Sequence, residues 1–136
     1  YFELGFTRYA ALVARQTDPE HPVFTPQELD SVLTPLWQAH RQWPPLSSVY
    51  TLMAEVWTKA KTPLGADELH VLTRAVEQFP YATQLALRSA YLHAAHRQFD
   101  QARRLLELSL DSTDDEANRD LLTQSLNELN RVTPKP

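Results

Sequence analysis

The chain has 136 residues, with 13 Lys and Arg against 17 Asp and Glu for a net charge of −4, and it carries 10 Pro, 2 Gly and no Cys. Without Cys there is no disulfide framework, thiolate nucleophile or Cys-ligated metal site, and Gly5 and Gly65 are too few to write a G-x-x-x-x-G-K loop or a G-x-G-x-x-G turn. No stretch approaches the roughly 18 apolar residues of a membrane span, and the mild acidic excess argues against a nucleic-acid partner.

Apolar periodicity predicts seven helices, over about residues 2–15, 26–43, 47–60, 63–79, 82–97, 100–111 and 114–130, and no strand. In the first, Phe6, Tyr9, Ala10 and Val13 have the spacing of one packed face. A connection from Gln16 to Phe24, with Pro19 and Pro22, is longer than helix pairs normally use and reads as a surface excursion that packs Phe24 under the first pair. The second helix opens on Thr25-Pro26, with Glu28 completing a capping box. Pro35 lies well inside it, where the missing N–H and a clash with the Ser31 carbonyl predict a kink or two abutting helices.

From here the chain repeats itself. Leu33, Leu36, Ala39, Gln42, Trp43 and Pro44 match Leu69, Leu72, Ala75, Gln78, Phe79 and Pro80 at a constant offset of 36 residues. Thr62-Pro63 stands before the second copy as Thr25-Pro26 does before the first. Ser47-Ser48 after Pro44-Pro45 is an ordinary helix start, and Tyr50, Met53, Ala54 and Trp57 align with Ala86, Ser89, Ala90 and His93. Ala10, Ala54 and Ala90 share one slot, which suggests a close helix crossing. Asp100 is the expected N-cap of the sixth helix, whose stripe is Ala102, Leu105, Leu106 and Leu110. Thr113 with Glu116 opens the last helix, and Ala117, Leu121, Leu122, Leu126 and Leu129 give it one apolar stripe and a polar back, as a terminal cap needs. Val132 to Pro136 read as a frayed tail.

Helix pairs repeating at about 36 residues, with Ala90, Phe99, Asp100 and Ala102 in the closest stretch and Tyr50, Met53, Ala54, Trp57, Ala75 and Pro80 in the next, resemble the tetratricopeptide repeat family. The family's signature Gly is replaced by Ala at all three slots. The resemblance implies an all-α, right-handed superhelix of helical hairpins in a single domain over 1–136: repeats at about 2–44, 47–80 and 82–111, a capping helix over 114–130 and a tail over 131–136. It also implies a concave groove lined by the first helix of each pair. The lining would be Leu4, Thr7, Arg8, Ala11 and Arg15, then Ser48, Thr51, Glu55 and Lys59, then Gln84, Leu87, Arg88 and Tyr91. Such a set suits a protein or peptide segment with some acidic character, with Tyr91 as aromatic anchor and Arg88 as a carboxylate fork. The Lys, Asn and Arg clamp by which some members hold chaperone tails is not matched, since the slots hold Thr7, Ala11, Leu52 and Gln84, and only Arg88 fits.

Chemistry-bearing constellations are scarce. His93 and His96 at i, i+3 lack further zinc ligands, and His93 falls on the slot of Val13 and Trp57, which makes it a packing residue; His96 reads as a solvated turn residue. Asp111, Asp114, Asp115 and Glu116 lack the spacing of a calcium loop. The expectation is a non-catalytic interaction module with no cofactor and no metal. The alternative is a structural C-terminal accessory domain on an upstream catalytic or transport domain, because the chain opens at Tyr1 without Met or a signal pattern and reads as a piece of a longer protein. The lack of Cys suits a cytoplasmic or a periplasmic or secreted setting equally.

Overall fold

The structure is a computed structural model that describes residues 1–15, 23–42 and 46–132. Among these the fold is all-α, with α1 (Phe2–Ala14), α2 (Pro26–His40), α3 (Ser47–Trp57), α4 (Ala66–Gln78), α5 (Thr83–Ala95), α6 (Phe99–Ser112) and α7 (Glu116–Val132). Among the described residues the one extended pairing is an isolated bridge between Phe24 and Ala60. The chain divides into two compact units, Tyr1–Leu64 and Gly65–Pro136, and this boundary falls inside the repeat of residues 47–80. Expectations about Gln16, Pro19, Pro22, Trp43, Pro44, Pro45 and residues 133–136 of the tail lie outside the described residues.

In the first unit α1, α2 and α3 pack on one another around Leu12, Phe24, Val32, Leu36, Val49, Met53 and Val56. The face of α1 differs from the expected one. Tyr9 is buried, but Phe6 is 54% and Val13 38% exposed and Ala10 faces solvent, while the buried line is Gly5, Tyr9 and Leu12. The close crossing is made by Gly5, not Ala10: a Cβ there would fall 2.7 Å from Leu36 Cδ2 and 3.3 Å from the Val32 carbonyl oxygen. At that crossing a missing side chain governs the approach, so the aromatic period alone placed the face wrongly.

Helix α2 begins as expected. Thr25 Oγ1 accepts from the Glu28 amide at 3.3 Å, and the Glu28 carboxylate accepts from the Thr25 amide at 3.0 Å, completing the capping box. The Thr25 bonds hold the Glu28 carboxyl below its ordinary range. Helix α2 runs through Pro35 as one helix rather than two abutting ones, and the Ser31 carbonyl that Pro35 cannot serve accepts instead from Arg8 Nη1 at 2.8 Å. A neighbouring helix supplies the donor that the ring removed. Phe24 is fully buried, edge-on to Tyr9 at 6.1 Å, and its amide donates to the Lys59 carbonyl at 3.1 Å. It packs under the first pair as predicted.

In the second unit α4 packs on α5 and α6, α5 on α6 and α7, and α6 on α7. Its core is Leu72, Val76, Leu85, Leu92, Leu105, Leu106, Leu122 and Leu129. Helix α4 opens at Ala66 with Gly65 as N-cap, so Thr62-Pro63 belongs to the connection rather than the helix start. Glu68 folds back over Gly65, where a Cβ would fall 2.6 Å from its Oε2. Helix α6 opens one residue before Asp100, with Gln98 as N-cap, and Asp100 pairs with Arg103 at 2.9 Å. The α7 cap is Asp115, whose Oδ2 accepts from the Asn118 amide at 2.9 Å, rather than Thr113. Arg119 closes the same corner by donating to the Leu110 and Thr113 carbonyls at 2.8 and 2.9 Å, which serves the bare C-terminal end of α6. On α7 itself Leu122 and Leu129 are buried and Leu126 is half-buried, but Ala117 and Leu121 face solvent.

The offset of 36 residues persists in burial. Val49 and Leu85, Tyr50 and Ala86, Met53 and Ser89, Ala54 and Ala90, Val56 and Leu92, and Trp57 and His93 are buried in both α3 and α5. Chemically unlike pairs such as Trp57 and His93 thus occupy equivalent packed positions. The second helices keep the same step from Leu33 and Leu36 to Leu69 and Leu72, but α6 follows α4 at 33, as Ala102, Leu105 and Ser109 show against Leu69, Leu72 and Val76. Residues 58–65 lengthen the connection before α4, whereas only 96–98 precede α6.

Candidate functional site

Short connections at 96–98 and 113–115 make α5, α6 and α7 successive antiparallel neighbours, so α5 and α7 run in the same direction. The two leave a cleft of about 570 Å³ between them. Leu87, Tyr91 and Ala94 form its α5 wall; Gln124, Asn127, Glu128 and Arg131 form its α7 wall; Ala90, Leu106 and Leu129 lie beneath. Both walls follow from helical spacing, at i, i+4 and i+7 on α5 and at i, i+3, i+4 and i+7 on α7. Ala90, a small and buried residue, keeps the bottom of the cleft deep. Tyr91 is 61% exposed, an aromatic side chain held at the edge of an apolar concavity with a polar rim. Glu128 and Arg131 approach to 3.9 Å, and both are largely in water, so the pair contributes little to stability.

The predicted groove residues divide between the units. Of those in the second, Leu87 and Tyr91 line the cleft, Gln84 is exposed in the first turn of α5, and Arg88 is half-buried and outside the lining. Those of the first unit serve local contacts. Arg8 holds the Ser31 carbonyl, Thr51 donates to the Ser47 carbonyl at 3.0 Å, and Lys59 donates to the Tyr9 hydroxyl while standing 4.0 Å from Glu55 and 5.1 Å from the Tyr9 ring centre. Arg15 is exposed at the C-cap of α1, and Ser48 is exposed in the first turn of α3. The α7 wall is not among the residues expected from the sequence, where the polar back of α7 reads as the solvated side of a terminal cap; Gln124, Asn127 and Arg131 at helical spacing on that face are the available signal.

A second cavity of about 560 Å³ adjoins His93, between α4, α5 and α6. His93 is 1% exposed. Its Nδ1 lies 2.7 Å from the Ser89 carbonyl and therefore carries the hydrogen; its Nε2 lies 2.9 Å from Thr73 Oγ1, and Gln101 Nε2 donates to the same hydroxyl at 3.2 Å. The Nε2 of the neutral imidazole is an acceptor that shares the single Thr73 hydroxyl hydrogen with the Leu69 carbonyl, 3.2 Å from the same oxygen, and three helices are tied at one point. Burial pushes the His93 pKa down; the Ser89 bond opposes that shift and His96 reinforces it. His96 itself is the C-cap of α5, half-buried, with Nδ1 2.7 Å from the Leu92 carbonyl. Among the described residues no group of three His, Asp or Glu is placed to hold a metal ion. No described helix is long and apolar enough to cross a membrane.

Set beside known proteins, the chain matches no family model, and no curated protein and no solved structure matches it.

Proposed function

We propose that the chain is a non-catalytic, tetratricopeptide-like protein-interaction module whose ligand, a segment of protein or peptide, lies in the cleft between α5 and α7. The observation that carries this reading is Tyr91, an exposed aromatic side chain beside a cleft floored by Ala90, Leu106 and Leu129 and rimmed by Gln124, Asn127 and Arg131. Clefts of a few hundred Å³ that combine an apolar floor with a few polar side chains are the usual form of a binding site. Aromatic side chains are favoured anchors because they bring large area at low entropic cost. The equivalent burial of α3 and α5 at 36 residues supports the repeat resemblance.

The cleft favours apolar anchors over charge recognition. Its lining cation, Arg131, is shared with Glu128, and Arg88 stands outside the lining. The carboxamides of Gln124 and Asn127 can each donate to and accept from a ligand backbone or polar side chain. Selection of random displayed peptides on the 136-residue chain tests the reading. Enriched peptides should carry apolar or aromatic anchors and lose at least about tenfold in affinity to the Tyr91→Ala variant. Enrichment of peptides indifferent to Tyr91→Ala and to Leu87→Asp would overturn it.

A further inference from the structure

Helix α1 carries the apolar face that its own unit does not cover. At 100° per residue Phe2, Phe6, Ala10 and Val13 fall within about 80° of arc, beside the buried line of Gly5, Tyr9 and Leu12. Phe2 and Phe6 share that face, with ring centres 6.4 Å apart. Phe6 and Val13 both stand in solvent, at 54% and 38% exposure, and the stripe contains no charged residue. The second unit meanwhile holds an apolar-floored cleft between two parallel helices. An amphipathic helix with anchors one turn apart is the shape such a cleft receives.

We propose that the cleft between α5 and α7 receives helix α1 of a second copy of this chain, so that copies associate head to tail. This rests on the cleft being a protein-binding site, as proposed above, and names its occupant. Phe2 and Phe6 enter over Ala90, Ala94 and Leu129, and Tyr91 closes over them. The direction follows from charge. With α1 antiparallel to α5 and α7, its positive N-terminal end meets their negative C-terminal ends. Glu3, exposed at the edge of the stripe, then comes to Arg131, which is 74% exposed by side chain on the last turn of α7. The opposite direction would set like dipole ends together and leave Glu3 without that cation. Because donor face and acceptor cleft are different surfaces, each pairing leaves a free α1 and a free cleft, and association continues or closes into a ring. One helix in one cleft is a small interface, which places the association in the weak, concentration-dependent class.

Phe6→Lys and Tyr91→Lys, both at exposed positions, test this by sedimentation velocity of the 136-residue chain over a hundredfold range of concentration. The unaltered chain should shift to larger species as concentration rises, and each variant alone should remain monomeric, with association weakened by about tenfold or more. The decisive arm is the equimolar mixture. Phe6→Lys retains an intact cleft and Tyr91→Lys an intact α1, so the mixture should give a 1:1 pair and nothing larger. A monomeric parent at every concentration overturns the proposal. So does a mixture that fails to pair, and so does loss of association by Phe6→Lys but not Tyr91→Lys, which would set α1 against itself. If association fails while selected peptides still depend on Tyr91, the head-to-tail occupant is wrong and the cleft reading survives.

Discussion

Replacing Gly5 with Ala sets two effects of opposite sign against each other. In the middle of a helix the exchange ordinarily stabilises by about 1 kcal/mol, because Gly gives up more backbone freedom on folding. Here the new Cβ would fall 2.7 Å from Leu36 Cδ2, 2.8 Å from Leu36 Cγ and 3.3 Å from the Val32 carbonyl oxygen. Leu36 is fully buried, so its side chain cannot swing aside into solvent, and the Val32 oxygen belongs to the backbone of α2. Relief requires α1 to move away from α2. Overpacking of that kind costs about 1–3 kcal/mol, and with the contact reaching a branched carbon the upper part of that range applies. The net expectation is a loss of about 1–2 kcal/mol. All three Trp, at positions 37, 43 and 57, belong to the first unit, so tryptophan fluorescence during urea unfolding reads the unit that contains Gly5. In the Leu36→Ala background the side-chain obstruction is gone and only the 3.3 Å approach to the Val32 carbonyl oxygen remains, so Gly5→Ala should cost much less there than in the parent. Unchanged or increased stability of the single Gly5→Ala variant would refute the close crossing of α1 and α2.

Four further outcomes follow from the packing. Ala90→Leu should cost about 1–3 kcal/mol in thermal or urea unfolding, whereas Ala10→Leu should change stability by less than about 0.5 kcal/mol, since Ala10 faces solvent; equal losses would restore the shared slot expected from the sequence. Arg8→Ala should cost about 1 kcal/mol, and Pro35→Ala, which returns an N–H to the Ser31 carbonyl, should remove most of that penalty in a double-mutant cycle; full additivity would contradict the substitution of donors. Arg97, the residue after the α5 C-cap, has φ 61° while its amide and that of Gln98 donate to the Ala94 and His93 carbonyls, so Arg97→Gly should raise stability by up to about 1 kcal/mol less its weak contact with the Phe99 ring; a loss would contradict it. Burial keeps folded His93 neutral to lower pH than in the unfolded chain, where it protonates near about 6.5. Below about that pH the unfolded state binds the additional proton, so stability falls with pH until the folded imidazole titrates too. Circular dichroism across pH 7.5 to 5 should therefore show the urea midpoint falling, less steeply in His93→Gln, and a rising midpoint would be the contrary result.

Much of the fold is legible in the sequence because capping and periodicity are local. Thr25 and Glu28 announce the start of α2, and the step from Leu33 and Leu36 to Leu69 and Leu72 is carried by apolar identity alone. What failed depended on contacts between distant residues. Nothing near Phe6 or Ala10 reveals that Gly5, by having no side chain, draws α1 onto Leu36, which buries Tyr9 and turns Phe6 outward. The donor that meets the Ser31 carbonyl left over by Pro35 is likewise remote, since Arg8 stands 27 positions before that proline in the chain. Thr62-Pro63 and Asp100 carry start signals that the chain does not use, since α4 and α6 take Gly65 and Gln98 as N-caps. For the candidate site, Leu87 and Tyr91 could be named from repeat position, since the first helices share a face. The opposite wall came from a helix read as a cap, whose polar side looks like any solvated surface until α5 stands beside it.

The cleft between α5 and α7 is tested most directly by following backbone amide resonances of the chain while an enriched peptide is added. The account predicts that the largest shifts gather at Leu87, Tyr91 and Ala94 and at Gln124, Asn127 and Arg131. Shifts confined to α4, or to the first unit, would contradict it.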